Sequence, residues 1–80
     1  MAVERLVAMA NDIARYFASE PDPEAGVSGV AGHLRKFWDP RMRRQLIAHL
    51  DSGGAGLDDL ARLAVRRLAQ EQSVVGQASE

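Results

Sequence analysis

The sequence contains no cysteine. Disulfide cross-links are therefore excluded, as are thiolate metal sites and ordinary iron–sulfur ligation. Histidine is nearly as scarce: His33 and His49 stand sixteen residues apart and match no zinc-ligand spacing. No apolar run approaches the roughly 20 residues of a membrane span. Residues 1–10 are amphipathic, carry Glu4 early, and lack the basic start and continuous apolar core of a signal peptide. The glycine run Gly53-Gly54-Ala55-Gly56 lacks the lysine and Ser/Thr of a phosphate loop. The serines fall mostly where caps, loops and a tail are expected, so no nucleophile with a base beside it stands out. These absences predict a chain that is not an enzyme and needs no cofactor of its own.

What is present is one short domain. With 80 residues, a chain of this size buries only about 60% of the surface its unfolded form exposes. One such core supplies roughly 3–5 kcal/mol, and small chains without disulfides or metals commonly lean on a partner. The formal net charge of −1 conceals strong segregation. Residues 1–24 carry Glu4, Asp12, Glu20, Asp22 and Glu24 against Arg5 and Arg15, a net of −3. Residues 25–50 carry Arg35, Lys36, Arg41, Arg43 and Arg44 against Asp39, a net of +4. Residues 51–80 hold Asp51, Asp58, Asp59, Glu71 and Glu80 against Arg62, Arg66 and Arg67, a net of −2.

Hydrophobic periodicity predicts an all-α fold, a small bundle of three to four short amphipathic helices. Val3, Leu6, Val7, Ala10, Ile13, Ala14 and Phe17 share one helical face over residues 3–19. Pro21 and Pro23 end that helix. Asp22 then reads as an N-cap with Pro23 at the first helical position. The second helix spans residues 23–38, with Val27, Val30, Ala31, Leu34, Phe37 and Trp38 as its stripe. Gly26, Gly29 and Gly32 each cost about 1 kcal/mol there relative to alanine, so its regular part is expected to start near Ser28. Asp39-Pro40 repeats the cap and opens a third helix over residues 40–51, with Met42, Leu46, Ile47 and Leu50 inward. A flexible glycine loop follows. Asp58 or Asp59 caps a fourth helix that runs to about Gln72 on Leu60, Ala61, Ala64 and Leu68. Residues 1–72 form the domain, and residues 73–80 read as a flexible C-terminal tail.

The middle segment concentrates the candidate function. Arg35 and Lys36 suit the C-terminal end of the second helix, whereas Arg41, Arg43 and Arg44 oppose the dipole at the start of the third. Such breaks of a local rule tend to mark function. Arg43 falls within the apolar stripe, where it either pairs with Asp39 or reaches into a partner. Phe37 and Trp38 sit about 100° apart on a helix. One seals the core and the other is core rim or an exposed anchor; core packing is the reading for at least Phe37. Trp and Arg are enriched at binding hot spots. The small residues Ala25, Ser28, Gly29 and Gly32 share the opposite side of the second helix with Lys36. Two readings stand for that side. One is a poorly formed, solvated first turn, which suits Gly26. The other is a second contact face where another backbone approaches closely, which suits Gly32. The partner-binding set is therefore His33, Arg35, Lys36, Trp38, Arg41, Arg43 and Arg44. Solvated surface is the alternative for the cluster as a whole. A helix–turn–helix nucleic-acid binder is the alternative function. Net negative charge and the single Gln45 on a short third helix weigh against it, so no nucleic acid is expected.

The run His33-Leu34-Arg35-Lys36-Phe37-Trp38-Asp39-Pro40-Arg41-Met42-Arg43-Arg44 resembles a motif of the delta subunit of soluble, molybdenum- or tungsten-dependent NAD-linked formate dehydrogenases. Residues 4–14, Ala48-His49-Leu50-Asp51, the glycine loop and Gly56-Leu57 are also similar to that family, over roughly residues 4–68 in all. Where the family often has a Ser-Pro-like cap after the loop, this chain has Asp58-Asp59, which also starts a helix. The resemblance implies a bacterial cytoplasmic complex whose larger catalytic subunits carry the bis-pterin metal cofactor, iron–sulfur clusters and flavin. The delta chain carries none of these. Its implied role is that of a non-catalytic accessory subunit in assembly, stability or maturation, with no membrane contact. A homodimer through the small-residue side of the second helix is the third reading for the isolated chain.

Overall fold

The apolar stripes become four helices: α1 (Val3–Phe17), α2 (Pro23–Phe37), α3 (Pro40–Asp51) and α4 (Asp59–Ala78). The structure is a computed structural model that describes residues 2–78, with side chains described for residues 2–71. The fold is all-α among the described residues. The most extensive packing joins α2 to α4, and α2 also lies along α1. The third helix packs on α4 and α1 and shares little surface with α2, its neighbour in sequence.

Both Asp-Pro signals act as read. The Asp22 carboxylate accepts from the Glu24 backbone N–H at 3.1 Å, and Asp39 accepts from that of Met42 at 2.9 Å, with proline opening each helix. The second helix is regular from Pro23, not from Ser28. Packing offsets the glycine propensity. A Cβ on Gly29 would stand 2.4 Å from Phe17 Cδ1, and one on Gly26 would stand 3.3 Å from the Phe17 carbonyl oxygen. The end of α1 thus nests where those side chains would be. The solvated reading of Gly26 is corrected: it is buried in a regular turn, because α1 approaches it closely.

The core draws on every helix. Leu6, Leu34, Leu46, Leu68, Val30 and Val65 are its largest fully buried side chains. Ala10, Ala14, Ala31, Ala61 and Ala64 are also buried and let the helices approach closely. Val65, not counted on the sequence stripe, is fully buried, whereas Leu63 is exposed. The fourth helix runs to Ala78, beyond the end expected near Gln72.

The glycine loop is held by side chains. Asn11 Nδ2 donates to the Gly56 carbonyl and Asn11 Oδ1 accepts from the Asp58 N–H, both at 2.9 Å. Arg62 donates to the Gly53 and Gly54 carbonyls, and His49 Nε2 lies 2.8 Å from the Ala55 carbonyl oxygen. Gly53, Gly54 and Gly56 take φ of 121°, 67° and 87°, a region that favours glycine. The expected flexible loop is therefore a fastened one, and His49 is spent on it.

Candidate interaction surface

The α2–α3 junction reverses one expectation. Trp38 is the C-cap of α2, with φ −90° and ψ 142°, so it leaves the helix at that residue. A helical wheel does not apply to it. The extended backbone turns the indole inward, where it is only 5% exposed and part of the core. Phe37, the last helical residue, is 68% exposed instead. Core placement of Phe37 is thus corrected, and so is Trp38 as a surface anchor: once the indole fills the core end of α2, the phenyl ring is left outside.

Arg43 is also turned inward. Its Nη1 donates to the carbonyl of Arg35 at 3.1 Å and to that of Trp38. The first is an orphan carbonyl of the last turn of α2 and the second is that of its C-cap, and a cation there also suits the helix dipole. The arginine that opposes the α3 dipole therefore serves the C-terminal end of α2. The Asp39 pairing is not the one formed: the partners of Arg43 Nη1 are main-chain oxygens. Its Nε is buried without a hydrogen-bond partner. Arg35 is engaged as well, holding Glu71 of α4 at 2.6 Å from Nη2 and 3.2 Å from Nε. Arg67 of α4 holds Glu24 and, at 3.1 Å, the Ser28 hydroxyl of α2.

What remains outward forms two patches. At the start of α3, Arg41 and Arg44 are exposed beside Asp39 and Pro40, and neither makes an ion pair among the described residues. Between α1 and α2 lies an aromatic groove of about 560 Å³, whose lining includes Phe17, Gly32, His33, Arg35, Lys36 and Phe37. It adjoins a second hollow that adds Tyr16 and Ile13 and shares His33 and Phe17. The His33 and Phe37 rings are 4.7 Å apart, and the Tyr16 and Phe17 rings meet edge-on at 5.0 Å. Lys36 Nζ stands 6.0 Å from the Phe37 ring centroid. Tyr16 is 77% exposed. Sequence reasoning passed over it because it lies off the core stripe; an aromatic on the polar side of an amphipathic helix was the available signal.

Of the seven sequence-predicted residues, the structure brings His33, Arg35 and Lys36 to the groove and leaves Arg41 and Arg44 at the helix corner. Trp38 lies in the core, Arg43 binds main-chain carbonyls, and Arg35 also pairs with Glu71. Among the described residues no group of three or more His, Asp or Glu could hold a metal ion. Among the described residues no helix is long and apolar enough to cross a membrane. The small α2–α3 contact does not favour the helix–turn–helix alternative.

A family model described as "NADH-dependant formate dehydrogenase delta subunit FdsD" matches residues 5–65, most of the chain. The comparisons with curated proteins and with solved structures gave no match.

Proposed function

Because the chain belongs to the NADH-dependent formate dehydrogenase delta subunit family, we propose that it is a non-catalytic accessory subunit of such an enzyme. It docks on the larger, catalytic subunits in the cytoplasm and supports their assembly, stability or maturation. The observation that carries this reading is the exposure of Tyr16 and Phe37 at two adjoining hollows, in a chain whose core is already closed by Trp38. Contiguous exposed apolar surface rimmed by polar groups marks protein contact sites. Lys36 at the groove and, in the separate patch at the start of α3, Arg41 and Arg44 supply positive charge that steers an acidic partner surface.

The test is to produce the larger subunits with and without this chain. Omission lowers the yield of intact complex, while the fraction that does assemble keeps its KM for formate. Equal recovery of intact, active complex in both preparations would sink the accessory role.

A further inference from the structure

We infer that the α1–α2 groove receives one apolar helix of a larger subunit, with a carboxylate on that helix placed opposite Lys36. This deepens the accessory reading and rests on it. The groove walls are Phe17 from α1 and His33 and Phe37 from α2, and the adjoining hollow extends them with Tyr16. At Gly32 an added Cβ would meet nothing closer than Arg35 Nη1 at 3.9 Å, so this stretch of α2 backbone lies open to a visitor. Gly29, three residues earlier, is already covered by Phe17. The open glycine therefore continues a packing surface that the chain itself uses one turn before.

Charge selects the occupant. Asp12, at one margin, pairs with Arg15, and Arg35 pairs with Glu71. Lys36 makes no ion pair among the described residues and lies beside the exposed Phe37 ring. Among the described residues the margin thus has one cation without an ion pair, Lys36, which an acidic side chain complements. A helix suits the groove better than an extended segment. The described backbone has no strand edge to hydrogen-bond an extended chain. A helix brings its own backbone bonds and presents side chains at i, i+3 and i+4.

The experiment co-expresses the full chain with the larger subunits and measures its retention, using Gly32→Leu, Phe37→Ala, Lys36→Glu and Lys36→Met. Gly32→Leu fills the groove, and replacing a helical glycine maintains or raises the melting midpoint of the isolated chain. Phe37→Ala removes an exposed wall. Each is expected to weaken retention by about tenfold or more without unfolding the chain. Lys36→Glu weakens it more than Lys36→Met.

If the wild-type chain is retained and the folded Gly32→Leu and Phe37→Ala chains are retained equally well, the groove is not the docking site, and the accessory reading survives. If the wild-type chain itself fails to associate, the accessory reading falls first. Equal retention of Lys36→Glu and Lys36→Met overturns the acidic occupant. Light scattering on the isolated chain covers the remaining occupant: a wild-type dimer converted to monomer by Gly32→Leu would assign the groove to a second copy and overturn the proposal.

Discussion

The Arg43 guanidinium donates to the main-chain carbonyl of Trp38, so the first turn of α3 caps the end of α2. The same group reaches the Arg35 carbonyl. Two helices that share little packed surface are thereby tied at their corner. Arg43→Ala leaves those carbonyls without this donor, in a half-buried place. A loss of about 1–3 kcal/mol is expected, read as a lower denaturant midpoint for the isolated chain. An unchanged midpoint would return Arg43 to the list of docking candidates.

Trp38→Ala removes the indole from a core of small and medium side chains. Such truncations cost about 3–5 kcal/mol, comparable to the whole stability expected of one small core. Circular dichroism should show a chain largely unfolded at room temperature. A cooperative melt close to that of wild type would contradict the buried placement. Loss of complex in a Trp38 variant thus reports folding before it reports docking.

The two glycines of the α1–α2 face should respond in opposite directions. Gly29→Ala drives a Cβ into the Phe17 ring, and overpacking of this kind costs about 1–3 kcal/mol. Gly32→Ala enters open space and should stabilise the chain by about 0.5–1 kcal/mol through helix propensity. Paired thermal melts compare them directly. Shifts of the same sign would refute the nesting of Phe17 on α2.

Asn11 bridges α1 to both sides of Leu57, through the Gly56 carbonyl and the Asp58 N–H. Asn11→Ala removes both bonds, and a cost of about 1–2 kcal/mol follows. Amide hydrogen exchange should accelerate at Asp58 before it does in the helix interiors. Asn11→Asp restores an acceptor for the Asp58 N–H but no donor for Gly56, so it should fall between the two. Slow exchange at Asp58 in the alanine variant would show that the loop is held by other means.

Exposed ion pairs should matter little to stability. Arg35→Ala breaks the pair with Glu71, whose side chains are 53% and 42% exposed. The effect expected is at most about 1 kcal/mol and smaller in high salt. A larger loss, measured by urea titration at two salt concentrations, would mean that the α2–α4 contact depends on that pair.

The sequence by itself determined the four helices, their Asp-Pro starts, most of the inward residues and the family resemblance. Each of these is local. Periodicity at i, i+3 and i+4, a capping carboxylate two or three residues from its N–H, and a motif read along the chain need no knowledge of what lies across the fold. Tertiary structure alone decided where Trp38, Arg43 and Gly29 belong. Trp38 is internal because the backbone leaves the helix at that residue, a change of φ and ψ that a wheel cannot express. Arg43 is internal because carbonyls up to eight residues away are left unpaired at the end of a different helix. Gly29 is a seat for Phe17 because α1 and α2 approach closely there. Those three positions are filled from within the chain, which is why the outward surface passes to Phe37, Tyr16 and Gly32.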